Sequence, residues 1–375
     1  MIIVSEIRIR GFRSIRQIEL PGLGNSTALA GLNNCGKSNV LRALNAFFTG
    51  ETDPGALLDV DRDFYRFGPK GKAKVIEVEL HFKLPESFKL GTRLKDVEAF
   101  LGGSDFSIGK RWRRDEPFPT YLKDGTEVAL QDRQKIDQFL QRINFRYIPN
   151  RVLPIDIIRG EHRGLQGVLV RRLSGKAKGA EKTFEVLHDT SAALIKALSK
   201  RVKQAVPDLG DLELATPASW AEMAFTFGYR LTQSGVETQD TEQGSGIQSL
   251  LMLETLYLID RDYFQRFGWR QAAIWAVEEP ESSLHSSLEA RIASFLASMA
   301  KDPQSRLQIL ATTHSDLVVQ YSDHAILLKR DGPQTVREQV VDRRELLAKV
   351  SRAGISRWVH PLQHEFPDKG GRLSG

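Results

Sequence analysis

Cysteine is almost missing: the 375 residues contain one, Cys35. No disulfide framework can form within one chain, which fits a reducing, cytoplasmic setting. No apolar run approaches the roughly 18 residues needed to span a bilayer, so no membrane partner is expected. The opening residues, Met1-Ile-Ile-Val-Ser-Glu-Ile-Arg8, alternate like a strand and do not read as a signal peptide. Internal repeats and low-complexity tracts are also absent, so neither a solenoid nor a compositionally biased tail is expected.

What the chain does have is size and unevenly placed charge. It is 41% hydrophobic and 27% charged, enough for a large core and two or three subdomains. The formal net charge is +6. Between Glu86 and Ala215 there are 24 Lys and Arg against 18 Asp and Glu, so this stretch carries the whole excess. A basic middle region fits either a polyanionic partner or a solvated face.

Gly31-Leu32-Asn33-Asn34-Cys35-Gly36-Lys37-Ser38 fits the pattern G-x-x-x-x-G-K-[S/T], for which average composition predicts roughly 0.01 chance matches in a chain this long. Its glycines let the backbone turn tightly, so that successive N–H groups point at phosphate oxygens. Gly31, Asn33, Asn34, Cys35, Gly36, Lys37, Ser38 and the following Asn39 are the candidate phosphate-binding residues. Lys37 would supply the charge at the β- and γ-phosphates, and Ser38 a ligand for Mg²⁺. Residues 26–30 read as a buried strand entering the loop, and Asn39–Phe47 as a helix leaving it, with its N-terminus under the phosphates. The same helix end and Lys37 would lower the pKa of an exposed Cys35, making it a target for maleimide that ATP protects.

Ala272-Ala-Ile-Trp-Ala-Val277 reads as a fully buried strand, and it ends in Glu278-Glu279-Pro280-Glu281. Carboxylates at such a strand end are costly unless they serve a cation or a proton transfer. Glu278 is assigned to the metal and Glu279 to the attacking water. A second buried strand, 307–312, leads into Thr313-His314-Ser315, where His314 could hydrogen-bond a γ-phosphate and sense its loss. Gln243-Gly-Ser245-Gly246-Ile-Gln248 precedes a long apolar helix over 249–264. A Ser-Gly pair at a helix start offers a hydroxyl, free N–H groups and the helix dipole to an anion. Elsewhere, alternation predicts strands with a break at Gly11 over 2–20, and others at 75–82, 110–114, 121–128, 144–148 and 223–231. Helical spacing covers 181–206, and the tail reads as a strand from Arg330 and a helix over 343–352.

These four elements, in this order, resemble the ABC-type ATPases of the RecF/SMC-like branch, in particular the OLD (overcoming lysogenization defect) family. Ile9-Arg-Gly-Phe-Arg-Ser-Ile15 resembles that branch's start, Gly244-Ser-Gly-Ile-Gln248 its signature motif, Glu278-Glu-Pro-Glu-Ser-Ser-Leu-His285 its Walker B and D-loop, and Ala311-Thr-Thr-His-Ser315 its switch histidine. Two departures stand out: many such ATPases have Asp at the place of Glu278, and Ile247 replaces the second signature Gly. The resemblance covers 1–85 and 216–330. It implies an α/β fold: a P-loop ABC-type head with a mixed central sheet, an N-terminal antiparallel β lobe and an inserted α+β or helical subdomain. The implied division is 1–85 and 216–330 for the head, 86–215 for the basic insertion and 331–375 for a tail. ATP and Mg²⁺ are the implied cofactors, with a homodimer or higher oligomer in which Ser245 and Gly246 close over the partner's nucleotide. OLD nucleases continue past the switch histidine into a Toprim nuclease domain, whereas only ~60 residues follow His314 here. The expectation is therefore an ATPase that controls a separate effector, a nuclease or toxin, in anti-phage defence. The alternative is a RecF-like DNA repair or recombination ATPase. It would bind DNA through Lys110-Arg-Trp-Arg-Arg114, Arg171, Arg172, Lys176 and Lys178.

Overall fold

Two strand patterns in the chain build two sheets. The computed structural model describes residues 1–68, 73–161, 164–165, 180–205, 212–215, 228–233, 236–239, 242–267, 269–282, 284, 286–340, 342 and 344–350. The first part of the chain forms β1 (Val4–Phe12), β2 (Ile15–Pro21), β3 (Ser26–Ala30), α1 (Lys37–Thr49), a ribbon of β4 (Glu51–Asp53) and β5 (Ala56–Leu57), and α2 (Val60–Asp63). It continues through β6 (Val75–Lys83), α3 (Lys95–Leu101), β7 (Asp105–Arg113), β8 (Thr120–Lys123), β9 (Thr126–Glu127), α4 (Arg133–Leu140), β10 (Ile143–Ile148) and α5 (Pro154–Gly160). Then come α6 (Ala180–Ala205), β11 (Leu212–Ala215), β12 (Gly228–Gln233), β13 (Val236–Gln239), α7 (Ser245–Phe267) and β14 (Ala272–Glu278). The last elements are α8 (Ser286–Lys301), β15 (Leu307–Thr313), α9 (Asp316–Tyr321), β16 (His324–Asp331) and β17 (Gln334–Glu338).

Strands β1 and β6 alternate buried and exposed residues, the pattern of a sheet with one solvated face. They lie in an antiparallel sheet of order β2-β1-β6-β7-β8-β9. Strands β3, β14 and β15 are buried along their whole length, as a sheet covered on both faces requires. They form the centre of the second sheet, β10-β14-β15-β3-β16-β17, which is parallel except for its last strand. The mixed central sheet and antiparallel N-terminal lobe are as the sequence implied.

Helix α1 is the filling between the sheets. Val40, Leu41, Leu44 and Phe47 share one core with Ile7, Ile9, Val78, Leu80 and Ile108 on one side and Leu29, Ile274, Leu310 and Leu328 on the other. Helices α5 to α8 cover the opposite face of the central sheet, where Leu250, Leu253, Leu256 and Ile292 pack against Trp275, Val277 and Ile309. The helix that positions a phosphate loop is thus held by two sheets at once.

The proposed boundaries meet these sheets. A division at 85/86 falls between β6 and β7, which are hydrogen-bonded neighbours from Val75↔Arg113 to Lys83↔Asp105. Strand β10 pairs with β14, so residues 105–148 are built into both sheets of the head. A division at 330/331 cuts β16, a strand of the central sheet that the sequence reading passed over. Charge excess marks a surface, and sheet membership is set by pairing partners distant in sequence. The strand expected from Met223 begins at Gly228 among the described residues, while 223–227 and the tail beyond 350 lie outside them.

One buried side chain joins the two sheets. Gln308 on β15 is fully buried; its Oε1 accepts from the N–H groups of Ile3 (3.0 Å) and Val4 (2.9 Å). Its Nε2 donates to the carbonyls of Val4 (2.7 Å) and Gly24 (3.0 Å), so all four bonds an amide can make are made. Gln308→Leu keeps most of the volume but orphans two donors and two acceptors. It should cost about 3–4 kcal/mol in urea unfolding, and a loss below about 1 kcal/mol would show that the backbone groups find other partners.

Candidate functional site

The phosphate loop follows β3 and has no room for side chains at its two defining glycines. Gly31 has φ 152°, and a Cβ there would lie 2.2 Å from the Leu328 carbonyl oxygen and 2.8 Å from Cys35 Sγ. Gly36 has φ 99°, and a Cβ there would lie 2.0 Å from Thr335 Oγ1. Both positions need glycine for conformation and for space. Asn34 between them is left-handed, at φ 59°. Leu32, Asn33 and Asn34 are exposed, and Ser38 and Asn39 are half-buried at the start of α1. Asn39 Nδ2 donates to Ser14 Oγ (2.8 Å), which in turn lies 2.7 Å from Thr335 Oγ1. The hairpin turn between β1 and β2 and the strand β17 therefore brace the loop from behind.

Cys35 faces inward. It is 2% exposed and belongs to the core under α1. Burial pushes its thiol up, outweighing the nearby Lys37. The expected reactive, ATP-protected thiol is thus corrected: in this loop the side chain at 35 is core, and only its backbone lies among the candidate phosphate contacts.

Lys37 is buried, and its ammonium donates to the carbonyls of Gly31 (3.0 Å) and Leu32 (3.1 Å). It also lies 2.8 Å from His314 Nε2. An ammonium only donates, so Nε2 is the acceptor in this contact. The same Nε2 is 3.2 Å from Glu279 Oε1, and Asn150 Nδ2 donates to Glu279 Oε2 (3.2 Å). The residues singled out on three separate strand ends, Lys37, Glu279 and His314, thus form one chain of contacts. Parallel pairing explains it: β3, β14 and β15 run side by side in the same direction, so their C-terminal ends share one edge.

Glu279 sits at φ 41°, a left-handed conformation uncommon for glutamate. It is held there by its N–H, which donates to the Thr312 carbonyl (2.9 Å) and approaches Thr312 Oγ1 (3.2 Å). Glu281, three residues past β14, is buried, and burial pushes its carboxyl up. Its Oε1 accepts from the His314 N–H (2.6 Å) and Thr313 Oγ1 (2.8 Å). It fixes the backbone that carries His314, a role the sequence did not disclose. Asn150 was also missed; the only signal was its place one residue past Pro149, at the end of a strand pattern.

Glu278 is nearly inaccessible, and its Oε1 lies 3.2 Å from Arg42 Nη2 of α1. Among the described residues no group of three His, Cys, Asp or Glu could hold a metal by itself. Ser38 and Glu278 are the donor types that suit Mg²⁺ when phosphates and water complete the shell. Ser245 is exposed at the first turn of α7 and lines a cavity of about 130 Å³ together with Asn150, Glu278, Glu279 and Ser249. Gly246 is buried against α8, where a Cβ would lie 2.0 Å from Leu288 Cδ2. The cavity brings the Ser245 turn to the edge that carries the acids.

The basic stripe on β7 is not a row of open cations. Lys110 is buried over the rings of Phe47 (5.3 Å) and Tyr121 (4.9 Å), and burial lowers its ammonium to about 8. Arg111 pairs with Glu77 (2.6 Å), Arg113 with Glu116 (2.8 Å) and Arg114 with Asp61 (3.1 Å). Arg171, Arg172, Lys176 and Lys178 lie outside the described residues. No helix among the described residues is long and apolar enough to cross a membrane.

A family model described as "AAA domain, putative AbiEii toxin, Type IV TA system" matches residues 26–320. The OLD nuclease of Thermus scotoductus is 23% identical over 338 residues, which are 84% of this chain and 59% of that protein, so the chain spans little more than half of this relative. Among solved structures, an SMC head bound to the C-terminal winged-helix domain of ScpA superposes with a TM-score of 0.66 at 15% identity, covering 91% of this chain and 99% of that one. The Pyrococcus furiosus SMC head with an extended coiled coil, bound to the C-terminal domain of ScpA, gives 0.61 at 14% identity, covering 95% and 100%. At such identities the likeness is one of fold. The chain belongs to this AAA-domain family, is similar to an OLD nuclease over most of its own length, and is built on an SMC-head fold.

Proposed function

We propose that the protein binds and hydrolyses ATP, dimerises around it, and uses that cycle to control a separate effector, a nuclease or toxin, in defence against phage. The observation that carries the reading is the continuous chain Lys37–His314–Glu279, in which a phosphate-loop cation, a switch histidine and a strand-end carboxylate are already in contact. The acceptors of Lys37 include two carbonyls and the His314 imidazole. A triphosphate offers it anionic ones. Moving to them frees His314 Nε2, which then faces the phosphate end and Glu279. Glu279, steadied by Asn150, accepts the proton of the attacking water. The loop N–H groups of Asn33 to Gly36 cradle the phosphates, and Glu281 keeps His314 in register. Mg²⁺, held by Ser38 and Glu278, would offset phosphate charge.

Ser245 and Gly246 sit at the start of α7 with the helix dipole behind them. In a two-fold pair each subunit would present this turn to the partner's nucleotide, so ATP joins the two chains. The effector part of the reading draws on the relatives: one is named for a nuclease and the family model for a toxin system. Direct binding of DNA through this stripe would have to compete with the carboxylate partners of Arg111, Arg113 and Arg114.

The test is Ser245→Arg. Light scattering should find monomer with ATP, hydrolysis should fall at least about tenfold, and ATP affinity should stay within about threefold of wild type. Mixing Ser245→Arg with Lys37→Ala subunits should restore at most one composite site per pair. Normal hydrolysis by Ser245→Arg, or a monomeric active species at every concentration, would sink the composite site.

A further inference from the structure

Arg42 lies on α1, five residues past the phosphate-loop lysine, and its guanidinium bridges two carboxylates. Nη2 is 3.2 Å from Glu278 Oε1, and Nε donates to Asp53 Oδ1 (2.9 Å). Asp53, in the ribbon strand β4, is also met by Arg151 Nη2 (2.5 Å) and Arg13 Nη2 (3.6 Å). Arg151 follows Asn150, the residue that bonds Glu279. Two consecutive loop residues thus reach the two strand-end acids, one directly and one through Asp53 and Arg42.

The energetics do not favour a purely structural role. The Glu278 side chain is 1% exposed, and its Oε1 makes no well-aligned hydrogen bond. A buried carboxylate whose ion pair is as long as 3.2 Å costs more than an apolar residue of its size would. A carboxylate kept at such cost, lining the same cavity as Glu279, is kept for a further cation.

We infer that Arg42 is a positioning residue: it pins one oxygen of Glu278 so that the carboxylate is fixed for a divalent cation, while Asp53 and Arg151 fix Arg42 in turn. This rests on the ATPase reading above. It predicts an effect centred on the metal, because the ion pairs of Arg42 run to the carboxylates of Glu278 and Asp53. Residues that orient a metal's carboxylate typically contribute about 10–100-fold in metal affinity.

The experiment measures binding of a fluorescent ATP analogue, in EDTA and across a Mg²⁺ titration. In Arg42→Met the Mg²⁺ concentration for half-maximal enhancement should rise about 10–100-fold, with metal-free affinity within about threefold of wild type. Arg42→Lys should recover only part, since an ammonium cannot span both carboxylates as the guanidinium fork does. Asp53→Asn, which leaves the charge of Arg42 but loosens its anchor, should shift the midpoint at least about threefold and decides the matter if Arg42→Met does not fold. An unchanged midpoint in the variants, or equal losses with and without Mg²⁺, would overturn the inference and leave the ATPase reading standing. Wild-type protein that binds the analogue equally well in EDTA and in Mg²⁺ would overturn the metal assignment itself.

Discussion

Lys37→Ala should weaken ATP binding at least about 100-fold, or about 2.7 kcal/mol, while the protein remains folded. The side chain is buried beside the loop carbonyls of Gly31 and Leu32 and reaches the edge where His314 and Glu279 end. Its ammonium is therefore the charge already in place for an incoming triphosphate, and charge-assisted bonds to phosphate are the strong ones. Losing it from the resting protein should be cheaper. Two carbonyls and the His314 ring nitrogen lose a donor, and each carbonyl has a second lone pair with which to find water or a neighbouring N–H. Stability should drop by about 1–2 kcal/mol. Titration of labelled ATP and urea unfolding of the same variant separate the two effects. Affinity within about threefold of wild type would remove the loop's assigned role.

Glu279→Gln should stop turnover while leaving ATP bound. The expected loss in kcat is about 10²–10⁴-fold, the range for removing a general base. The amide keeps the shape and can still accept from Asn150 Nδ2 through its oxygen. Its nitrogen then faces His314 Nε2, which accepts from Lys37 in the resting state. Once Lys37 has moved to the triphosphate, the amide can donate to the freed ring nitrogen, so the local packing survives and only proton acceptance is lost. The backbone helps: Glu279 is held at φ 41° by bonds from its own N–H to Thr312, and these do not depend on the side chain. Rate and affinity measured on one preparation decide the outcome. Wild-type turnover would move the base elsewhere, and weakened binding with it would recast Glu279 as a ligand-holding residue.

The sequence by itself determined the two kinds of sheet, and it pointed to the phosphate-loop pattern, the acid-tipped strand and the histidine after the next strand. Each rests on local chemistry. Two glycines five residues apart with a lysine and a serine directly after the second, an unbroken apolar run ending in carboxylates, and strict alternation are all patterns within a few residues. Even the order of the motifs was informative, since parallel strands bring their ends to one edge whatever lies between them.

Tertiary structure decided what touches what. Gln308, Arg42, Asn150 and Glu281 each act through a partner far away in sequence: Ile3, Glu278, Glu279 and His314 respectively. Nothing near those residues in the chain marks them. The inward turn of Cys35 was decided the same way, because a thiol's burial depends on which strands close over the loop, and here these are β16 and β17 from the far end of the chain. So was the fate of the β7 cations: alternation could place Lys110 and Arg111 on opposite faces, but only the neighbouring strand supplied Glu77 to one and only α1 and β8 supplied rings to the other. Local pattern sets the chemistry a residue can perform, and long-range pairing sets whether it has a partner to perform it on.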